Sequence, residues 1–292
     1  MASKELMNID KSFSFRHKKN KVFHGLFLAS TLIAIISLAL LVGELIYKGV
    51  GWLDWDFLTS YPSRFPEKAG IKSALTGSIW LFVVTAPVAF ILGVGTAIYL
   101  EEYSDRSRFK NFIQINISNL AGVPSIVYGI LGLALFVRGL HLGRSVLAGG
   151  LTMSLLVLPI IVVASQEAIR SVPDDLRHAA YALGANRWQV VRTIVLPSAL
   201  PGILTGTILA LSRAIGETAP LIMIGALSFV AFVPESLMDQ FTVLPIQIFN
   251  WTSRPKEEFQ NIAAAGILVL LVFLLMMNAT AIILRNKFQK RL

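Results

Sequence analysis

The sequence contains no cysteine. That absence excludes disulfides, thiolate metal sites and cysteine nucleophiles. Histidine is scarce as well: the four, His17, His24, His141 and His178, are scattered without metal-ligand spacing. No G-x-x-x-x-G-K-[ST] occurs, so the chain has no phosphate-cradling loop for ATP. It also lacks G-x-S-x-G, H-E-x-x-H and comparable catalytic constellations, which argues against an enzyme. Charge is sparse, at 15% of residues, against 55% hydrophobic residues. In a chain of 292 residues that balance argues against ordinary soluble domains. The net charge of +9 would suit a nucleic-acid partner, but the Lys and Arg lie between apolar runs and form no stripe on a soluble face. Basic loops between membrane spans explain them better.

What is present is a series of apolar runs near the ~20 residues that a bilayer core requires. They predict an all-α polytopic membrane protein with six spans, at about 25–47, 73–99, 113–137, 146–166, 201–226 and 261–284. The first run is too long for a signal h-region and has no obvious A-x-A site, so it reads as a retained anchor. Residues 1–24 and 285–292 read as basic tails flanking a permease domain over 25–284, with 48–72 and 228–260 as aqueous loops. Trp52, Trp55, Phe57 and Tyr61 fit an interfacial belt or contacts with a soluble partner. Pro87 is expected to kink span 2, at a cost neighbouring helices absorb. The start of span 3 is polar, with Asn116, Ser118, Asn119, Gly122, Pro124 and Ser125. Such residues mark either close helix packing or backbone lining a pathway.

Six spans place both termini on one side. If that side is cytoplasmic, its segments hold 17 of the 26 Lys and Arg, the opposite loops hold 8, and Arg213 lies within span 5. The bias predicts cytoplasmic termini and a cytoplasmic 167–200.

Residues 167–200 predict two short helices. Pro173 suits a first turn, Asp174 and Asp175 complement the helix N-terminus, and Leu176, Ala179, Ala180 and Leu183 fall at i, i+3, i+4, i+7. Gly184 is a stop signal, and Asn186 can cap a second helix through Leu196, before Pro197 and Pro201 break it. The pattern fits either a hairpin lying on the bilayer or a docking surface.

Span 5 carries Arg213 and Glu217. Counted from Pro201 at ~1.5 Å per residue, Arg213 lies roughly 18 Å in, near mid-bilayer. An arginine there costs about 2.5–3.5 kcal/mol, so it must face protein or water. Gly202, Gly206, Ala210, Arg213, Glu217 and Pro220 share one face of a continuous helix, opposite Leu204, Ile208, Leu211, Ile215 and Ile222. The small-and-charged face suits a close subunit contact or a water-filled path. The pair fits a structural ion pair at i, i+4 or a substrate site.

HAAYALGANRWQVVRTIVLP resembles the EAA loop of ABC-importer permeases: two alanines, a glycine, then I-x-L-P, here Ala179, Ala180, Gly184, Ile194, Leu196 and Pro197. The family's acidic first position is His178. SRAIGETAPL with LPSALPGILTGTILAL resembles the phosphate-specific (Pst-type) permeases, and SYPSRFPEKAGI points to the PstA branch rather than its sister PstC branch. This resemblance covers nearly the whole chain from about residue 25. It implies a type I ABC-importer (MetI-like) core, phosphate import, and a substrate pathway containing Arg213, Glu217, Ser212 and Thr218. It implies that Asp175, His178, Ala179, Ala180, Gly184, Ala185 and Arg187 couple to an ATPase. The implied partners are a PstC-like sister permease, two copies of a PstB-like ATPase, and a PstS-like phosphate-binding protein outside the cytoplasmic (inner) membrane. ATP and Mg would be bound by the ATPase, leaving this chain without a cofactor. Where the family often carries an arginine four residues after Pro159, this chain has Val163. The rival expectations are the same machine for sulfate, molybdate or another solute, and an ion-driven carrier or channel.

Overall fold

A computed structural model describes residues 2–104, 108–226 and 229–289, with side chains for all of these except 2–15, 18, 284, 288 and 289. Among the described residues the chain is helical apart from its connections, the longest of them between Ile224 and Leu244, and one isolated antiparallel bridge, Ser145 with Gln240. Helix α1 (Ala2–Gly49) runs unbroken from the basic tail through span 1. It packs on the last helix near Gly49, where an added Cβ would meet the Ala265 backbone nitrogen at 2.8 Å.

The segment 48–72 is not simply an aqueous loop. It forms α2 (Trp55–Thr59), capped by the Asp54 carboxylate, which accepts from the Phe57 N–H at 2.6 Å. Phe57 is buried against Trp251, with ring centroids 5.8 Å apart, while Trp55 is exposed. The four aromatics of this segment therefore divide between core and surface.

Helix α3 (Lys72–Ile98) continues through Pro87 and ends in a π turn at Tyr99–Tyr103. Span 3 departs from the expected rod. It is built from α4 (Arg108–Ala121) and α5 (Ser125–Gly132), bent by 106° at Gly122–Pro124, with α5 extended by a π turn at Leu133–Gly139. Pro124 has no N–H to continue the ladder and excludes residue 123 from helical backbone, which accounts for the break.

Helix α6 (Val146–Arg170) is the central element. Ser145 caps it by accepting from the Ala148 N–H at 3.2 Å, and it packs on α3 along most of its length. Inside that contact the Thr85 hydroxyl donates to the Gly150 carbonyl at 3.2 Å, a polar link of the kind that holds membrane helices together.

After α6 come α7 (Asp174–Ala182) and α8 (Arg187–Val190). Pro197 and Pro201 do not break the chain, contrary to the sequence expectation. A π turn at Val191–Val195 leads directly into α9 (Leu196–Ile215), which holds both prolines, and 187–215 runs as one apolar span. Pro197 directly follows the π turn, which shifts the bonding pattern just ahead of the missing proline N–H, and Pro201 is held within α9.

Span 5 also ends earlier than expected. It stops at Ile215, and the chain restarts as α10 (Ala219–Ile224) with Pro220 in its first turn. Pro220 cannot donate back to Gly216, and here, unlike at Pro87 and Pro201, the helix breaks rather than running on through the proline. Arg213, Glu217 and Pro220 therefore do not share one helical face. Nor is the small face of α9 left for a subunit contact: Gly202 and Gly206 lie against Ala168 and Ala164 of α6. A Cβ on Gly202 would sit 2.8 Å from that of Ala168. Glycine permits this crossing because it brings no side chain.

The loop expected over 228–260 is partly core. Residues 241–248 are all buried, and they open α11 (Leu244–Thr252), which packs between α3 and α12 (Glu257–Gln289). Among the described residues five helices are long and apolar enough to cross a membrane, six if α4 and α5 count as one broken span. The last residues of the expected C-terminal tail, 290–292, lie outside the described residues.

Candidate functional site

The breaks in spans 3 and 5 meet. A cavity of about 230 Å³ is lined by Leu120 through Ser125, by Tyr128, by Leu156, Val157 and Ile160 of α6, and by Arg213, Ala214 and Glu217. Leu156, Val157 and Ile160 lie halfway along α6, so the cavity sits at mid-height of the helix bundle. The elbow is held by the Tyr128 hydroxyl, which donates to the Leu120 carbonyl at 2.7 Å across the bend. On the other side α10 packs closely on α5: a Cβ on Gly129 would come within 2.7 Å of Pro220 Cα. Both chain breaks are fixed, which presents irregular backbone and charged side chains to one space.

Arg213 stands in the last turn of α9, where a cation complements the partial negative charge of the helix C-terminus. Its Nε lies 3.8 Å from Glu217 Oε1. The pair expected at i, i+4 is present, but across a helix end and without a hydrogen bond. The Arg213 side chain is 69% exposed and that of Glu217 23%. The guanidinium is thus free to turn its donors toward the cavity.

The other two pathway candidates behave differently. The Ser212 hydroxyl donates to the Ile208 carbonyl at 2.7 Å and pairs with Asn278 Oδ1 of α12, so it bonds across the α9–α12 contact and does not line the cavity. Thr218 precedes α10 without capping it and is also absent from the lining. Sequence reasoning offered packing or a pathway for the polar stretch of span 3; Gly122, Pro124 and Ser125 line the cavity, whereas the Asn116 amide bonds its own helix at the Phe112 carbonyl, 2.7 Å away. The α6 residues were not singled out, because Leu156, Val157 and Ile160 look like any apolar helix face.

The loop 167–200 forms the second candidate region. Asn186 and Gln189 make a reciprocal capping box, with bonds of 2.9 and 2.8 Å. Gly184 ends α7 with φ +83°, the left-handed backbone that glycine adopts without penalty. Asp175, His178, Ala179, Gly184 and Arg187 are exposed, while Ala180 and Ala185 turn inward onto the core. Large apolar groups face outward: Leu183 is 89% exposed and Trp188 59%, beside exposed Leu176 and Tyr181. Arg187 lies over the Tyr103 ring at 5.9 Å.

The family described as "Binding-protein-dependent transport system inner membrane component" matches residues 87–292. A Bacillus subtilis protein named "Probable ABC transporter permease protein YqgI" is 33% identical over 276 residues, 89% of this chain and 94% of that one. The phosphate transport system permease protein PstA of Haemophilus influenzae is 34% identical over 271 residues, 93% of this chain and 95% of its own length. The fold is similar to that of a bacterial ABC transporter crystallised with an alginate-bound periplasmic protein, at a TM-score of 0.67 and 15% identity, covering 90% of this chain and 93% of that one. This chain belongs to the binding-protein-dependent transport system inner membrane components, in the PstA branch of the ABC-importer permeases.

Proposed function

We propose that the chain is the transmembrane subunit of an ATP-driven importer of inorganic phosphate and forms half of its translocation pathway. The observation that carries this reading is the mid-height cavity that brings Arg213 and Glu217 together between two broken spans. Broken helices meeting near the middle of the membrane are a recurrent way to hold a polar solute. The planar guanidinium suits an oxyanion and keeps its charge when desolvated. The open side of Arg213 fits a cavity completed by a PstC-like sister subunit. The relationship to PstA proteins supports phosphate as the solute. The exposed apolar face of 167–200 suits a PstB-like ATPase, present in two copies and binding ATP with Mg; a PstS-like protein would deliver phosphate from outside. Uptake of labelled phosphate by the whole complex, in competition with sulfate and molybdate, tests the reading. Stronger uptake of sulfate or molybdate would overturn it.

Glu217 supplies selectivity. Near neutral pH phosphate still carries a proton, whereas sulfate carries none. An ionised carboxylate only accepts hydrogen bonds. Glu217 thus accepts from protonated phosphate and repels sulfate, an attraction and a repulsion acting together. Glu217→Gln loses phosphate uptake or lets sulfate compete; unchanged uptake with sulfate still excluded would show that Glu217 does not discriminate.

Both termini and 167–200 face the cytoplasm in this reading, with the permease domain over 25–284. The chain has no cysteine, so single cysteines report topology cleanly. In intact cells an impermeant thiol reagent labels Ser63→Cys and spares Asn186→Cys. The reverse pattern overturns the orientation.

A further inference from the structure

The structure points to Arg177 and Glu102 as the link that carries movement of the loop 167–200 to the cavity wall, which makes both positioning residues for transport. The inference rests on the proposed reading that an ATPase docks on that loop.

Arg177 differs from its neighbours on α7. Asp174, Asp175 and His178 are exposed, but the Arg177 side chain is only 14% exposed and points into the protein. Its guanidinium reaches three elements. Nε and Nη2 donate to Glu102 Oε1 at 3.3 and 3.1 Å. Nη2 also donates to the Ile169 carbonyl at the end of α6, at 2.9 Å. Nη1 donates to the Val172 carbonyl at 2.6 Å and to Asp174 Oδ1 at 2.9 Å. Glu102, 8% exposed, belongs to the π turn that ends α3. One side chain therefore ties the docking helix to the cytoplasmic ends of α3 and α6.

The adjacent residue extends the connection. Glu101 Oε1 accepts from Arg170 Nη2 and from Gln166 Nε2, both at 2.7 Å. Gln166 exchanges amide hydrogen bonds with Gln114 of α4, at 2.8 and 3.1 Å. From Gln114, α4 runs seven residues, about 10 Å, to Ala121 at the elbow that walls the cavity. Two side-chain networks, joined through the adjacent residues Glu101 and Glu102 and continued by helix α4, thus run from the docking face to the elbow beside Arg213 and Glu217. The Arg177–Glu102 pair is held by burial of both side chains and by the further bonds of the guanidinium, Glu101 is held by its two 2.7 Å bonds, and a rigid helix passes displacement along its length.

The full importer in proteoliposomes, with phosphate transported per ATP hydrolysed as the readout, tests the link. Glu102→Gln is the informative variant. It keeps the side-chain shape and removes the charge, and Arg177 retains Val172, Ile169 and Asp174 as partners, so no buried cation is left alone. Couplings between distant sites typically correspond to about 5- to 150-fold. The expected result is a complex that assembles and hydrolyses ATP but moves phosphate with a ratio at least about fivefold lower. Arg177→Gln behaves alike, and the double variant loses no more than the worse single one, as residues acting through one contact do. A wild-type ratio in Glu102→Gln, additive losses, or failure of that variant to assemble would overturn the proposal, the last because it marks a contact that only holds the fold. Should the wild-type complex hydrolyse ATP while moving a different anion, the phosphate reading fails and the link is scored on that anion. If no ATPase accompanies the wild type, both fall.

Discussion

Arg213→Gln abolishes phosphate uptake while leaving the importer assembled and its ATPase docked. The side chain holds no part of the fold: it is largely exposed, it approaches Glu217 only at 3.8 Å, and its neighbour Ala214 supplies the buried contact. Replacing it with a shorter neutral side chain removes the cation from the cavity, and because the position is largely exposed no buried void is opened. Hydrogen bonds to charged groups contribute about 1.5–3 kcal/mol, which corresponds to a loss of roughly 10- to 150-fold at the least. The loss exceeds this where the cation is also needed to draw the anion out of water. Labelled-phosphate uptake, read beside complex yield and ATP hydrolysis, checks the result. Transport at the wild-type rate would make the pair a structural one, with substrate held elsewhere.

The second large effect is expected at Gly184. A Cβ built there meets nothing within 4 Å, so a side chain has room in the isolated chain. The backbone at φ +83° costs a non-glycine residue roughly 1–2 kcal/mol, least for Asp and Asn. Gly184→Asp therefore folds and inserts. Its side chain and charge instead stand on the exposed apolar face between Leu183 and Trp188, the face proposed above to receive the ATPase. Uptake falls by at least about tenfold, the equivalent of ~1.4 kcal/mol in docking, and ATP hydrolysis is no longer tied to it. Gly184→Ala carries comparable strain with little bulk, and retains more uptake than the Asp variant. Equal losses in the two would assign the effect to strain, and normal uptake by Gly184→Asp would mean that no partner inserts at this turn.

Much of the protein was legible from its sequence for a definite physical reason. A bilayer core admits few charges, so apolar length alone located four of the six expected spans, though neither the break in the third nor the bounds of the fifth, and the scarcity of Asp, Glu, Lys and Arg within them made Arg213 and Glu217 conspicuous. Local chemistry was equally direct in the loop 167–200: the acidic first turn of α7, the glycine at its end and the Asn186 cap lie where the residues require, since each bond closes within a few positions. Proline misled in opposite directions. Pro197 and Pro201 were expected to break a helix and do not, while Pro124 and Pro220 do. The residue removes one bond everywhere; whether a π turn or a neighbouring helix makes good the loss is decided by packing.

Only the tertiary structure decided the site itself. The cavity unites residues near 122, 157 and 213, and no sequence pattern relates positions so far apart. Ser212 stood beside Arg213 in the sequence yet faces Asn278, because one step along a helix turns a side chain by about 100°. Residues 241–248 resembled a loop until α3 and α12 enclosed them. Arg177 resembled any surface cation of an amphipathic helix, and its partner Glu102 lies 75 residues away. The sequence by itself determined what must enter the membrane and which charges are out of place there, because those depend on transfer free energy residue by residue. Which charges meet, and around what space, depended on how the broken spans pack.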